Sequence, residues 1–265
     1  MIIWCAYCQR FQGEVPPFER REVSHGLCRR CEPSAFEWTS EQEERIAYLA
    51  DLNQRFWRAG RSRSAPDMET LAIEGFGADI RPIDMLFGFA GPLLATIGQR
   101  WAANILTACE EHQFTDACEA LVNLIERHVS SASAPSAQAG GPTILLAAVE
   151  GNEHALGCRF AALGFESMGI RATVLEGGGT PQAIVDAALA LGSSAVGLSI
   201  SLSSQIPALR RLLDLFAGEP AFNAPILVGG AAVNSEMVLS SAAPGARLVS
   251  RPAFNESDAY SFAPV

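Results

Sequence analysis

The chain has 265 residues, 49% of them hydrophobic, and a formal net charge of −10. That length and apolar content suffice for two or three compact units, while the negative charge argues against general nucleic-acid binding, which depends on Lys and Arg. No long apolar run and no basic leader segment precede these units, so we predict a cytoplasmic protein without a membrane segment.

The first element in chain order is a pair of C-x-x-C motifs. Cys5 and Cys8 form the first motif and Cys28 and Cys31 the second, with nineteen residues between them. Four thiolates complete the tetrahedral coordination of zinc and leave no open position, which is typical of a structural site. We therefore predict a zinc-ribbon-like module over residues 1–36, too small to hold a core without the metal. A disulfide pair or a redox C-x-x-C is the alternative.

Helical patterns follow over residues 37–128. The first helix is predicted from Thr39 to Ala59 and begins with a capping-box pattern. Three more helical patterns cover residues 68–76, 82–104 and 107–127. Together they predict a four-helix bundle. A basic loop ends the first helix, and it is expected to be solvated, with contact to a phosphate or an acidic partner as the alternative. Its cations are Arg58, Arg61 and Arg63.

An α/β domain is predicted after the bundle. A linker of small uncharged residues covers 129–142, and residues 143–265 alternate between apolar runs and helical patterns. The predicted strands lie near 143–149, 171–175, 194–200, 225–229 and 246–249. This alternation predicts the fold class α/β, with a flavodoxin-like doubly wound parallel sheet.

Polar side chains and glycines follow three of these strands where each strand ends. The carboxyl ends of parallel strands meet at one edge of a sheet, where ligands bind. A dinucleotide site is not expected, because the first strand is not followed by G-x-G-x-x-G. The residues at these strand ends are Asn152, His154, Gly157, Ser199, Ser201, Gly229 and Gly230.

This set resembles the cobalamin-binding signature D-x-H-x-x-G, S-x-L and G-G, with forty-one residues between Gly157 and Ser199. The resemblance implies that the nucleotide tail of vitamin B12 threads the domain and that His154 is the lower axial ligand of cobalt. It also implies that Ser199 and the Gly229-Gly230 pair border the tail pocket. The loop after the second strand, which contains Gly177 and Gly178, is expected to pass the tail.

Two positions depart from the signature. Asn152 stands where the family has Asp, and Ser201 stands where it has Leu. A carboxylate would orient the histidine and raise its basicity. Asn152 is expected to accept a hydrogen bond from the imidazole ring instead, with weaker ligation of cobalt. An ordinary flavodoxin-like fold with a surface histidine is the alternative.

The bundle carries a second motif, in which Trp101 is followed after nine residues by Glu111 and His112. It resembles the helical cap of CarH-type B12 photoreceptors, which implies that Trp101 covers the upper axial group and that Glu111 and His112 contact or replace it. That family has a histidine directly after the tryptophan, and Ala102 stands there in this chain. The bis-histidine state that the family forms after illumination is therefore not expected. Without the resemblance, Trp101 would be a core residue and Glu111-His112 a solvated helix face.

The combined resemblance implies a light-sensing regulatory protein, not an enzyme, that binds adenosylcobalamin or methylcobalamin. CarH-type proteins have a helix-turn-helix segment ahead of the cap, where this chain has the cysteine module. Direct DNA binding is therefore not expected. We expect the protein to act through a protein partner such as a transcription factor, as AerR-type antirepressors do. Self-association into a homo-oligomer stays open. The alternatives are a corrinoid methyl carrier that serves a methyltransferase, or a related sensor that binds bilin or haem.

Overall fold

The computed structural model describes residues 1–17, 20–32, 39–132, 141–175, 177, 179–233, 246–254 and 260–264. The chain divides into two compact units. Residues Met1–Ala134 with Pro252–Ser261 form the amino-terminal unit, and Pro135–Arg251 with Phe262–Val265 form the carboxyl-terminal unit. Within the described ranges, no helix combines the length and apolar character needed to cross a membrane.

The amino-terminal unit begins with a small sheet. Its strands are β1 (Ile2–Cys5), β2 (Phe11–Glu14) and β3 (Val23–Gly26). β1 lies in the centre, antiparallel to β2 and parallel to β3. The two C-x-x-C motifs therefore follow neighbouring strands of one sheet.

Five α-helices follow. They are α1 (Ser40–Ser62), α2 (Ala65–Gly77), α3 (Pro82–Met85), α4 (Gly91–Ala102) and α5 (Ala108–Ala132), with a π-helical segment at Leu86–Ala90 between α3 and α4. The predicted capping box is present at α1, where Thr39 and Gln42 cap each other's backbone. α5 extends beyond the predicted end at Arg127 into the segment assigned to the linker, because no Gly or Pro interrupts it there.

The helix predicted over residues 82–104 is interrupted, and Pro92 explains the break. Proline has no N–H to donate and its ring clashes with the carbonyl four residues earlier. The backbone accommodates this with a wider turn, in which the N–H of Gly91 donates to the carbonyl of Leu86. The predicted single helix is thus α3, the π-helical segment and α4 in series.

Aromatic packing joins the cysteine module to the helices. Trp4 is fully buried, and its ring centroid lies 4.9 Å from that of Phe89. Phe89 in turn stacks on Phe56 of α1 at 5.1 Å. We expected the module to depend on the metal alone for its core, but it shares a hydrophobic core with the helical bundle.

Gly88 is required by this packing. A Cβ on Gly88 would lie 2.3 Å from Cζ2 of Trp4, and a buried indole has little room to move. We expect Gly88→Ala to lower the free energy of unfolding by about 1–3 kcal/mol. All four tryptophans belong to the amino-terminal unit, so urea denaturation followed by tryptophan fluorescence measures this effect.

Gly98 provides the matched control, since it lies in α4 and a Cβ there would meet no atom within 4 Å. We expect Gly98→Ala to stabilise the unit by about 0.5–1 kcal/mol, because alanine has the higher helix propensity. Equal effects of the two substitutions would contradict the packing argument.

Most of the predicted sheet belongs to the carboxyl-terminal unit. Its elements are β4 (Thr143–Ala148), α6 (Leu156–Ser167), β5 (Arg171–Leu175), α7 (Pro181–Ala190), β6 (Ala195–Ser199), α8 (Ile206–Ala217) and β7 (Ile226–Gly229). Strands β8 (Ala246–Phe254) and β9 (Tyr260–Pro264) complete the sheet, in the order β5-β4-β6-β7-β8-β9. All register-assigned pairs from β5 to β8 are parallel. The predicted doubly wound α/β fold is confirmed, with one strand, β9, that was not predicted.

Alternate residues of β4 face opposite sides of the sheet. Leu145 and Ala147 pack in a core with residues of α7 and α8, whereas Ile144 and Leu146 pack against α6. The chain order reverses between β4 and β6, because β5 lies on one side of β4 and β6 on the other. Ligands of doubly wound sheets bind at the carboxyl edge next to this reversal.

Candidate functional site

The three candidate strand ends lie side by side at that edge. In the register of the sheet, Ala148 pairs with Ser199 and Ser199 pairs with Gly229. The loop with His154 follows Ala148 after a few residues. The convergence predicted from the order of the strands is therefore present in the fold.

Asn152 fixes the loop that carries His154. It is only 3% exposed. Its Nδ2 donates a hydrogen bond to the carbonyl of Ser199 at 3.0 Å, and its Oδ1 accepts one from the backbone N–H of His154 at 3.1 Å. We expected Oδ1 to accept from the imidazole ring, and the backbone amide occupies that position instead. The side chain of His154 is half-buried.

Gly157 lies directly beside Ser199. This glycine is exposed, and a Cβ on it would lie 3.5 Å from the hydroxyl oxygen of Ser199. Its neighbour Cys158 is buried, and burial raises the pKa of that thiol to about 11. The thiol is therefore neutral at physiological pH, and the wall beside Ser199 carries no charge there.

The backbone of Gly230 approaches β6 closely. Its φ is +116°, and a Cβ would lie 2.1 Å from the carbonyl oxygen of Ile200. The N–H of Ile200 donates to the carbonyl of Gly229 at 2.9 Å, and Ala232 donates to the carbonyl of Ile200 at 3.3 Å. Only glycine fits this crossing of two backbones.

The side chain of Gln205 connects the loop after β6 to the loop after β4. The sequence analysis did not identify this residue. Its Oε1 accepts from the backbone N–H groups of Ser201 and Leu202 at 2.8 and 3.0 Å, and its Nε2 donates to the carbonyl of Gly151 at 3.0 Å. The side chain is 4% exposed. The S/T-x-x-E/Q pattern of a capping box is absent, because the N-cap residue Leu202 has no side-chain acceptor, so no local signal identified Gln205.

Gly177 follows β5 and is the described part of the predicted tail loop. It is exposed, has φ +79°, and has open space around its Cβ position. Gly178 lies outside the described residues.

In the amino-terminal unit, the predicted cap residues flank the turn between α4 and α5. Trp101 is half-buried near the end of α4. Glu111 accepts a hydrogen bond from the hydroxyl of Thr115 at 2.8 Å and is 13% exposed at its side chain. His112 is 72% exposed, with Nε2 3.5 Å from the Glu111 carboxylate. Trp101 is not a fully buried core residue, and His112 is accessible.

The four predicted metal ligands come together. The Sγ atoms of Cys5, Cys8, Cys28 and Cys31 all lie within 4.8 Å of one another. Cys8 and Cys28 are 3.8 Å apart, close to the edge of about 3.8 Å that four thiolates at zinc–sulfur distances of about 2.3 Å define. The donor set and its geometry thus fit a tetrahedral zinc ion.

The environment of this cluster stabilises a thiolate. A hydrogen bond from the Cys8 side chain lowers the pKa of Cys5 to about 4, and the same contact raises the pKa of Cys8. Burial raises the pKa of Cys31 to about 11. A metal ion that binds the four thiolates would displace the protons that the thiols carry without it.

Comparison with known proteins defines the class of the carboxyl-terminal segment. Residues 142–255 match the family model of the B12 binding domain. The matched segment coincides with the doubly wound sheet and contains the strand-end residues.

Individual relatives narrow the comparison. The chain is 29% identical over 163 residues to the HTH-type transcriptional repressor CarH of Myxococcus xanthus, a match that covers 61% of this chain and 52% of the repressor. It thus spans about half the length of this curated relative. Among solved structures, the monomethylamine corrinoid protein of Methanosarcina barkeri has a TM-score of 0.64 at 14% identity and covers 76% of this chain and 92% of its own. That similarity establishes a shared fold.

The residues at the strand ends fit a corrinoid with an extended tail. Gly157 has no side chain and is exposed directly beside the hydroxyl of Ser199, so a ligand can approach the backbone there. His154, whose side chain is half-buried, lies in the loop that follows the neighbouring strand β4.

Replacement of Asn152 tests the two hydrogen bonds by which this side chain links the His154 loop to the end of β6. We expect Asn152→Ala to lower the free energy of unfolding by about 1–3 kcal/mol, because it leaves the carbonyl of Ser199 and the amide of His154 without their buried partner. We expect Asn152→Asp, the residue of the signature, to destabilise the protein as well, since a carboxylate would face the Ser199 carbonyl. Calorimetric unfolding measures both, with exposed Glu153→Ala as the control, expected within about 0.5 kcal/mol of the original. Wild-type stability of both Asn152 variants would contradict the assigned hydrogen bonds.

Proposed function

We propose that the protein is a cobalamin-dependent, light-sensing regulator that acts through a protein partner in the control of transcription. The observation that carries this proposal is the register of Ala148, Ser199 and Gly229, which gathers the signature residues at one sheet edge. The similarity to a transcriptional repressor supports a regulatory role.

In this proposal the loops of the carboxyl-terminal unit hold the cofactor. His154 supplies an imidazole nitrogen to cobalt, and Asn152 keeps its backbone in place through the 3.1 Å hydrogen bond. Gly157, Ser199 and the Gly229-Gly230 pair border the nucleotide tail. Adenosylcobalamin or methylcobalamin, when bound, supplies a cobalt–carbon bond that light can break.

The cap residues are assigned to the upper side of the corrin. Trp101 would cover the cofactor, and the exposed His112, with the Glu111 carboxylate 3.5 Å from its Nε2, would offer it a nitrogen ligand. Ala102 contributes no ligand, so His112 or water is the candidate in this chain.

Zinc is assigned to the cysteine cluster. Four thiolates leave no position for a substrate, so the ion has a structural role at the base of the shared aromatic core. The three strands around it precede the helices and would offer a surface to a partner. This arrangement favours contact with a protein partner over direct binding to DNA.

A corrinoid methyl carrier is the second candidate, because the fold is shared with a monomethylamine corrinoid protein. Such a carrier would need a partner methyltransferase and would show no change of assembly in light. Bilin and haem have no support beyond the resemblance and would be recognised by their own absorption bands.

The test is to load the apoprotein with adenosylcobalamin in the dark, desalt it, and record absorption and molar mass by light scattering before and after green light. We expect co-elution of the corrinoid and a light-driven change in both spectrum and assembly or partner state. His154→Ala should alter the spectrum of the illuminated form, and His112→Ala should weaken the change in assembly. A retained corrinoid without any light-dependent change in assembly would favour the methyl carrier.

A further inference from the structure

A groove in the amino-terminal unit lies outside the residues assigned to cobalamin and zinc. It has a volume of about 400 Å³ and runs between the end of α1 and α4; we call it the α1–α4 groove. Among the described residues, its lining has three arginines, an indole and no acidic side chain. The residues that matter are Arg21, Trp57, Arg61, Gln99, Arg100 and Ile105.

Two of the three cations are available to a ligand. Arg21 already forms a buried salt bridge with Glu14, with 2.7 Å between the nitrogen and the oxygen. Arg61 and Arg100 are exposed, and within the described part of the chain neither forms a salt bridge. In a chain of net charge −10, this is a local excess of positive charge. The predicted basic loop is wrong for two of its cations, since Arg58 and Arg61 lie within α1, and only Arg63 follows it as the C-cap. Arg63 differs from Arg61 in that it pairs with Glu110 at 3.0 Å.

The apolar side chains of the groove are Trp57 on α1 and Ile105 just after α4. Ile105 is 65% exposed. Its N–H donates to the carbonyl of Arg100 at 2.9 Å while Asn104, at φ +57°, donates to the carbonyl of Trp101. These two bonds form a Schellman motif, which fixes Ile105 at the end of α4 beside Arg100. Trp57 is half-buried on α1.

Close packing makes the groove rigid. A Cβ on Gly60 would lie 2.7 Å from Cδ2 of Leu93, so α1 and α4 approach as closely as a glycine allows. A groove formed by two tightly packed helices does not need to be ordered by its ligand, which favours binding.

The exposure of the lining decides between a small ligand and a protein segment. Sites for small molecules bury most of the ligand surface, whereas Arg61, Gln99, Arg100 and Ile105 are all exposed. A peptide continues beyond such an open groove and gains contacts there. Exposed arginines around an aromatic anchor are typical of the central contacts of protein interfaces.

We propose that the α1–α4 groove docks an acidic segment of a protein partner, with carboxylates on Arg61 and Arg100 and an apolar side chain against Trp57 and Ile105. This inference rests on the proposed action through a partner, but it does not depend on cobalamin.

The test uses the full chain and a short fluorescein-labelled peptide in which glutamates flank a Leu-Phe pair. Fluorescence anisotropy should show binding that added salt weakens. Arg61→Gln with Arg100→Gln should weaken binding at least about 10-fold, which corresponds to about 1.4 kcal/mol, and Trp57→Ala should have a similar effect. The charge-matched control is Arg45→Gln with Arg58→Gln, two exposed arginines on α1 outside the groove, which should bind as the original protein does.

Several outcomes would overturn the proposal. One is equal binding of a peptide with glutamines in place of the glutamates, and another is unchanged binding by the Arg61/Arg100 variant. Stronger quenching of Trp57 by ADP than by the peptide would assign the groove to a small phosphate ligand. Self-association that this variant abolishes would assign it to a second copy of the chain. Cobalamin retention is measured on the same samples, so its loss alone would contradict the proposed function and not the groove.

Discussion

Gly230→Ala is expected to destabilise the carboxyl-terminal unit by at least about 3 kcal/mol, the sum of an unfavourable backbone conformation and a steric overlap. The φ of +116° disfavours any residue with a Cβ, and that Cβ would lie 2.1 Å from the carbonyl oxygen of Ile200. Because both groups are backbone, no side chain can move to relieve the contact. We also expect the variant to lose cobalamin, since the β6 and β7 loops border the tail in the proposed complex.

Calorimetry and amide hydrogen exchange of residues 194–233 measure this effect. Gly169→Ala is the matched control, because Gly169 also has a positive φ, +77°, but has open space at its Cβ position. We expect the control to cost about 1–2 kcal/mol. If both variants are equally stable, the close contact with Ile200 is not as described.

Removal of the metal is the second change with a large expected effect. We expect one zinc ion per chain and expect Cys28→Ser to abolish its binding, since the remaining three thiolates leave the tetrahedron incomplete. Apparent binding energies of structural zinc are on the order of 10 kcal/mol, so the β1–β3 sheet should lose its protection against amide exchange. Because Trp4 and Phe11 are buried in the core shared with the helices, helical content should largely persist.

Elemental analysis, amide exchange and circular dichroism test this expectation together. Cys109→Ser is the control, because Cys109 is exposed and outside the cluster; it should keep the metal. A wild-type protein that contains no zinc, or a Cys28→Ser variant that retains it, would contradict the assignment.

Much of the fold could be predicted because local and tertiary signals agree. The apolar runs of the sheet are bounded by polar and glycine residues, and strands β4 to β7 begin or end within about two residues of their predicted limits, a usual precision. The spacing of the cysteines predicted the cluster because few arrangements bring two C-x-x-C motifs to one ion. The signature residues could be placed at one edge of the sheet because they follow successive parallel strands, whose carboxyl ends lie at the same edge.

Other features depend on tertiary contacts that periodicity does not encode. The π-helical segment is a local response to Pro92, which lies within an otherwise helical pattern. β8 continues to Phe254, beyond the predicted limit near residue 249. Gln205 joins residues more than fifty positions apart, and the packing of Trp4 on Gly88 crosses from sheet to helix. No local pattern gives such contacts.

The most direct test of the central claim is equilibrium binding of cobalamin in the dark to the original protein and to Gly157→Phe. The claim is that the nucleotide tail passes over Gly157 beside the hydroxyl of Ser199. It predicts one cobalamin per original chain and a loss of affinity of at least about 100-fold, or about 2.7 kcal/mol, in a variant that remains folded by calorimetry. Cobalamin binding that Gly157→Phe leaves unchanged, or no binding by the original protein, would contradict it.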